Sequence, residues 1–396
     1  MRLRRCAVLW LEPRELAHFE LGALLTGGTG VVSRMQWFAH APTLDAPLEV
    51  EPRDVALLGS LSPHDWVEAM PLRRDHGAGR LRRLLRAGLL VGRGKAWAAQ
   101  RERDEALRAQ HWHPAAALYH SASRWQGMDS VRELLEEGMA SSADMREKLG
   151  VPPPVQDERG DASARIGLPR AARAPLDELL DARNTCRNFD LDSQLPLARF
   201  AQVLERVFGA RGQVQAARDL DMLKKTSPSG GALHPVDACL LVQRVEGLAS
   251  GVYRYRSVDH ALQPLPWPGG EETLQELAIR AVAGQHWFAD AHVLVVLVPR
   301  FLRNFWKYRN HAKAYRVCIL DAGHLSQTLF LSATEQGLGA FITAAINEVD
   351  IENAFGLTGY VDGPLAVCGF GIRADTMTTS ELDPNHKVWK IPADAG

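Results

Sequence analysis

Apolar positions recur at helical spacing over residues 80–91. Leu81, Leu84 and Leu85 share one face, and Gly88 stops the run before a short strand at 89–91. Upstream, Asp54-Val55-Ala56-Leu57-Leu58 begins a short helix. Ser62-Pro63-His64-Asp65-Trp66 reads as an N-cap with proline at N1, a second helix start. Alternation over 6–11 predicts a first strand. Residues 1–50 read as strands and loops, with a turn at Gly27-Gly28-Thr29-Gly30. Three helices, then a strand after a glycine, outline a winged helix. Residues 98–150 read as helical and polar. Val151-Pro152-Pro153-Pro154-Val155 and the polar residues 156–163 make a hinge-like linker. The chain thus divides into a winged-helix-like domain at 1–150, suited to peptide docking or dimerisation, a linker at 151–164 and a larger domain at 165–396.

In the larger domain, helical patterns cover 175–183, 198–208, 271–283, 318–335 and 350–355. Ala322, Leu325, Leu329 and Ala333 share one face of the fourth. Strands are predicted at 236–245, at 251–256 and 261–265 as a hairpin, at 292–299 as a fully buried strand, and at 363–371. Residues 301–316 are mixed basic and aromatic. The pattern is α+β: a central sheet flanked by helices.

Composition narrows the classes. The chain has 396 residues, 46% apolar and 23% charged, with a net charge of -1. That suits a soluble protein and argues against a whole-molecule grip on nucleic acid or acidic membrane. The N-terminal run after Arg2-Leu3-Arg4-Arg5 mimics a signal peptide but ends at Glu12, and no apolar stretch is long enough to span a bilayer. Five cysteines, an odd number without a C-x-x-C pair, read as reduced thiols of a cytoplasmic protein and hold no metal. His111, His113 and His120 lack metal-ligand spacing and read as surface or packing residues. Arg80, Arg82, Arg83 and Arg86 form a solvated helix face, a peptide-docking or dimerisation surface, or a DNA-facing one. The near-neutral chain disfavours the last.

Candidate chemistry gathers in three places. In Ser227-Pro228-Ser229-Gly230-Gly231-Ala232-Leu233-His234-Pro235 two prolines bracket a Ser-Gly-Gly turn. Its glycines permit positive φ and close approach of backbone to a flat ligand, and its hydroxyls can bond polar edges. Arg183 and Arg187, at i and i+4, can converge on one anion, and Arg373 is a third phosphate candidate. Lys307 and Tyr308, adjacent in Trp306-Lys307-Tyr308, form a candidate proton-transfer pair.

The order of these motifs is more specific than any one of them. Arg183-Asn184-Thr185-Cys186-Arg187, the Ser-Gly-Gly loop, Gly251-Val252-Tyr253, Trp306-Lys307-Tyr308, Asp321-Ala322-Gly323-His324-Leu325-Ser326-Gln327 and Gly337-Leu338-Gly339 follow one another. Over about residues 165–375 the chain resembles the nitroreductase-like flavoproteins. It is most similar to the peptide-maturing dehydrogenases that oxidise azolines to azoles in thiazole/oxazole-modified peptides. The resemblance implies FMN held at a homodimer interface. It assigns cofactor contacts to Arg183, Asn184, Thr185 and Arg187, to Pro228, Ser229, Gly230 and Gly231, to Gln327, to Gly337 and Gly339, to Ala344, Ala345 and Ile346, and to Arg373. Lys307 and Tyr308 take the catalytic role. Two departures stand out: Asn184-Thr185 replaces the usual Arg-Ser, and Leu233 stands where the loop commonly carries arginine.

The implied reaction removes a hydride from a thiazoline or oxazoline to flavin N5 and a proton to a base, giving an aromatic ring. A precursor peptide and a cyclodehydratase or other maturation enzymes are the implied partners. Dioxygen suffices to reoxidise the flavin, and there is no G-x-G-x-x-G after a strand. Two rivals remain. One is an NAD(P)H-dependent flavin reductase of nitro, quinone or dehydroamino-acid groups. The other is an idle scaffold that docks a leader peptide.

Overall fold

The computed structural model describes residues 1–156, 160–267 and 272–389. Parts of the expected linker (157–159), the start of the expected helix at Glu271 and the C-terminal residues 390–396 lie outside the described residues. The chain forms two compact units. One is Met1–Arg124 with Phe301–Arg316; the other is Trp125–Arg300 with the chain from Val317 on. The division falls at Arg124/Trp125, before the expected linker, because residues 125–130 are hydrogen-bonded within the second unit, as described below.

The first unit contains, in chain order, β1 (Arg2–Arg5), β2 (Trp10–Phe19), α1 (Leu21–Leu25), β3 (Val31–His40), β4 (Leu48–Val50), α2 (Pro52–Ser60), β5 (Val67–Glu68), α3 (Ala69–His76), α4 (Ala78–Arg86), β6 (Leu90–Gly92), α5 (Ala98–Ala109) and α6 (Pro114–Ala122). Strand β1 lies between β5 and β6, antiparallel to both. Together with α2, α3 and α4 this gives the three helices and small sheet expected at the N-terminus. Leu57, Leu58, Leu81, Leu84 and Leu85 pack with Leu3 and Leu90 as its core.

Three details differ from the sequence pattern. The first strand is the basic run Arg2–Arg5, not 6–11. Arg4 enters the sheet because Asp104 pairs with it at 2.9 Å and Glu105 adds a second carboxylate. Ser62 does accept from the His64 and Asp65 N–H groups, at 3.0 Å each. The chain then extends to pair β5 with β1, and the helix starts only at Ala69. Arg80 and Arg83 both pair with the fully buried Asp54 of α2. Half of the arginine face is therefore helix packing rather than a ligand surface.

The second unit contains α7 (Ser130–Glu136), α8 (Ser142–Leu149), α9 (Pro175–Ala182), α10 (Leu197–Phe208), β7 (Gly212–Ala217), β8 (Leu220–Lys224), β9 (Val236–Val242), β10 (Gly251–Arg256), β11 (Ala261–Pro264), α11 (Leu274–Ala281), α12 (His286–Ala289) and β12 (Val293–Pro299). After α13 (Phe301–Phe305), which belongs to the first unit, follow α14 (Lys313–Glu335), β13 (Gly339–Thr343), α15 (Glu348–Phe355) and β14 (Ala366–Gly371). Six strands make one sheet in the order β11-β10-β9-β12-β14-β13. Strand β12 is buried throughout, as expected, and pairs antiparallel on both edges. Its alternate residues feed two cores. Val293, Val295 and Leu297 pack under α10 and α14; Leu294, Val296 and Val298 pack under α11, α12 and α15. The unit is a sheet with helices on both faces, α+β as expected. The hairpin β7–β8 was not predicted: β7 is exposed along its whole length, so no apolar period marks it.

All five cysteines are buried. Burial pushes the Cys186 thiol up to about 12 and Cys239 up to about 11.

Candidate functional site

The Ser-Gly-Gly loop joins β8 to β9 across a single helical turn at Gly230–Ala232. Its backbone is left-handed at Gly231 (φ 65°), Ala232 (φ 54°) and His234 (φ 44°). Two of these are not glycine, and each such residue costs about 1–2 kcal/mol. The strain is held by a carboxylate. Asp321 of α14 accepts from Ser229 Oγ at 2.5 Å and from the Gly230 N–H at 3.3 Å. Ser229 Oγ in turn accepts from the His234 N–H at 2.9 Å. The Ser229 hydroxyl therefore pins the loop to its helix, rather than being an open polar contact. Asp321 is only 3% exposed. Burial raises its pKa, opposed by the bonds from Ser229 and Gly230. Pro228 O lies 3.3 Å from His324 Nδ1, which fixes the approach to the turn. A Cβ on Gly230 would collide with Val317 Cγ1 of α14. Leu233, which stands where the loop commonly carries arginine, is 2% exposed and so forms part of the packing. Lys225, just before the loop, is also buried. Burial lowers its pKa, with Asp237 opposing and Arg300 assisting.

The motif at 183–188 is extended rather than helical, with bridges Thr185↔Ala340 and Phe189↔Arg373. Burial alternates along it. Asn184, Cys186 and Asn188 point inward, while Arg183, Thr185 and Arg187 lie on the more exposed side. Two Cα atoms four residues apart in extended chain are roughly 13 Å apart. The guanidinium groups do not converge: Arg183 sits 5.3 Å over Phe330 and Arg187 sits 5.9 Å over Phe288. These rings belong to the two opposite cores of the sheet. Asn184 Nδ2 is buried without a hydrogen-bond partner, a donor left open on the motif.

A residue with no sequence motif organises this segment. Glu381 has a fully buried carboxylate. It accepts from the Arg187 N–H (2.6 Å), the Asn188 N–H (3.1 Å), Asn188 Nδ2 (2.8 Å), Arg373 (2.8 Å) and Trp389 Nε1 (2.8 Å). Burial pulls its pKa up, but these bonds outweigh burial and hold it below the usual glutamate value. Arg373, read as a phosphate contact, is paired here with a carboxylate.

Gly337 is left-handed (φ 67°) at the end of α14 and is open around its Cα. Gly339 is required for another reason: a Cβ there would collide with Cys186 Sγ. Ala344 is exposed, Ala345 half-buried and Ile346 fully buried. Gln285 holds this turn through Nε2, which donates to Thr343 Oγ1 (3.1 Å) and Ala345 O (2.9 Å). Gln327 lies on the exposed face of α14 with Ile319, Leu320, Gly323 and His324.

Lys307 and Tyr308 follow α13 in the stretch Phe301–Arg316, which packs with the first unit. Lys307 is exposed, with Nζ 5.4 Å from the centroid of the Tyr308 ring. The stretch is held by aromatic contacts. Trp112 touches Phe301 and Phe305 at centroid distances of 4.6 and 4.7 Å, and His120 Nδ1 lies 3.0 Å from the Tyr315 hydroxyl. Both stems of the stretch lie in the second unit and touch the Ser-Gly-Gly loop. At one stem the Arg300 N–H donates to Pro235 O at 2.9 Å, and Arg300 pairs with Asp237 at 3.0 Å. At the other stem Val317 abuts Gly230. Asp321 had a sequence signal, since it stands one helical turn before Leu325 on an apolar face. Glu381 had none.

Among the described residues, no group of three or more His, Cys, Asp or Glu gathers as a metal site. Among the same residues no helix is long and apolar enough to cross a membrane.

Residues 180–372 match the model of the Nitroreductase family. The chain is 27% identical over 195 residues to "Putative nitroreductase MJ1384" of Methanocaldococcus jannaschii, covering 49% of this chain and 91% of that protein. It is 29% identical over 149 residues to the trifolitoxin-processing protein TfxB of Rhizobium leguminosarum bv. trifolii, covering 36% of this chain and 38% of TfxB. It is 26% identical over 157 residues to the microcin B17-processing protein McbC of Escherichia coli, covering 39% of this chain and 56% of McbC. The chain thus spans less than two thirds of the two peptide-processing relatives. The motif order and the sheet with helices on both faces agree with this match of residues 180–372 to the Nitroreductase family.

Proposed function

We propose that this chain is an FMN-dependent oxidoreductase that matures a ribosomally made peptide by oxidising thiazoline or oxazoline rings to thiazole or oxazole. One observation carries the reading furthest. The strained, carboxylate-pinned Ser-Gly-Gly loop of a nitroreductase-family domain is tied to both stems of the Lys307-Tyr308 stretch. The two relatives named for processing trifolitoxin and microcin B17 support a peptide as the substrate.

The residues present fit a flat cofactor with a phosphate tail. The left-handed backbone at Gly231, Ala232 and His234 is of the kind that lets a loop approach a planar group closely. Arg183 and Thr185 offer a cation and a hydroxyl on the more exposed side of an extended segment, and Arg187 a second cation farther along it. Asn184 Nδ2 supplies a donor that the protein leaves unused. When bound, FMN supplies the two-electron acceptor for ring oxidation. Arg373 contributes by orienting the segment through Glu381. Lys307 and Tyr308 take the ring proton, an assignment resting on the motif. Gln327 is assigned to the cofactor, and the exposed apolar residues Ile319 and Leu320 of α14 to a homodimer interface.

The purified protein is expected to carry FMN, or to take it up stoichiometrically, as read by its visible absorbance and by the nucleotide released on denaturation. Protein that stays colourless after incubation with excess FMN would sink the proposal. Rapid flavin reduction by NADPH alone, with no turnover of azoline peptides, would assign the domain to the reductase reading instead.

A further inference from the structure

Within the second unit a groove of about 550 Å³ opens between α7, the end of α8's leading loop, Trp287 of α12 and the turn at Ala345. Helices α7 and α8 precede the family-matched residues 180–372, so this wall lies outside the match. It is firmly built. The N–H groups of Trp125, Gly127 and Met128 donate to Glu348, Asp350 and Asn347 of α15, at 2.8, 2.7 and 2.9 Å. Ser130 Oγ donates to Ala283 O at 2.9 Å. Arg280 pairs with Asp350 at 2.8 Å from the far side. Gly284 admits Asp129 at a point where a Cβ would collide with its carboxylate.

Three properties of the groove point to one kind of occupant. Its walls are largely apolar, with Leu134 and Leu135 39% and 59% exposed on a short helix. Its only charged lining residues are Glu133 and Glu137. Among the described residues, neither carboxylate has an ion pair or a side-chain hydrogen bond, whereas the neighbouring Glu136 pairs with Arg132. Trp287 lines the groove, and its buried Nε1 has no hydrogen-bond partner among the described residues. An apolar groove whose charged lining is two exposed carboxylates matches an extended peptide carrying apolar side chains and a lysine or arginine. It does not match an acidic peptide.

We infer that this groove binds the cationic segment of the peptide substrate that flanks the reacting ring, with Ala345 as the wall nearest the cofactor turn. This rests on the proposed peptide substrate, and it concerns binding alone.

The test uses the full chain and two dansyl-labelled nonapeptides, each alternating leucine and glycine, one with two lysines and one with two glutamates in their place. Fluorescence anisotropy is expected to show the lysine peptide binding at least tenfold more tightly. The charge swap Glu133→Lys with Glu137→Lys should invert that order. Both carboxylates are exposed, so the swap leaves the core untouched, and unchanged near-ultraviolet circular dichroism verifies this. Equal affinity of the native chain for the two peptides, or no inversion in the swapped variant, overturns the inference. Because anisotropy needs neither flavin nor turnover, failure here is separable from failure of the oxidoreductase reading. A colourless protein that still prefers the lysine peptide would leave the groove standing and the cofactor assignment fallen.

Discussion

Replacing Glu381 with glutamine is expected to destabilise the second unit by about 3–5 kcal/mol, the usual cost of removing one partner of a buried ion pair. At about 2–4 °C per kcal/mol for a unit of this size, its melting temperature should fall by roughly 10 °C. The physical reason is local. The carboxylate is fully buried and collects five donors, Arg373 among them. Glutamine presents one acceptor oxygen and an N–H₂ group to the same donors. It strands the Arg373 charge and loosens the backbone of Arg187 and Asn188. The pH dependence has a definite sign. The folded-state pKa of Glu381 is depressed, so its stabilisation is fully present above the ordinary glutamate value. It is lost as pH falls through the lower folded value. The stability gap between the native protein and the Glu381→Gln variant should therefore close in acid. A gap that stays constant below that range would show that the destabilisation comes from shape alone. FMN affinity should fall in step with stability, since Arg183, Thr185 and Arg187 share the segment that Glu381 holds.

Lys307→Ala is expected to leave FMN content and melting temperature unchanged while lowering azoline turnover by about 10²–10⁴-fold, the range for a positioned acid–base group. Lys307 is exposed, and its neighbours hold the turn without it. The Lys307 N–H and the Tyr308 N–H both donate to Asn304 O, at 3.1 and 3.2 Å, and Asn304 Nδ2 donates to Ala314 O at 2.8 Å. Tyr308→Phe keeps the ring beside the amine and removes only the hydroxyl, so its defect measures what the phenol adds. Steady-state turnover of a purified azoline peptide, beside the flavin content of each variant, checks both. An alanine variant with full turnover removes Lys307 from the mechanism.

The sheet and its covering helices were legible because each carries a strong period. Strand β12 is a continuous apolar run, and α10 and α14 keep apolar faces over many turns. The strand at Arg2–Arg5 was hidden because its charges are neutralised by Asp104 and Glu105, about a hundred positions away. The β7–β8 hairpin was hidden because it buries too little to impose a pattern. At the site, the residue types of the motifs were readable but their geometry was not. Arg183 and Arg187 read as a converging pair only if the segment is helical, and its bridges to Ala340 and Arg373 make it extended. Ser229 read as an open contact until Asp321 was found beneath it. Nothing in the order of residues 301–316 shows that they pack with Trp112 and His120. That arrangement depends on contacts between aromatic rings far apart in the chain.

The central claim is that this chain oxidises an azoline ring in a peptide by passing two electrons to a bound flavin. Its most direct test is anaerobic: the flavin-loaded protein is mixed with one equivalent of a thiazoline-containing peptide, and the oxidised flavin band is followed while the peptide mass is recorded. The account predicts loss of the band, matched by a two-hydrogen decrease in peptide mass. A band that persists beside an unchanged peptide, in protein whose flavin dithionite reduces normally, would contradict it.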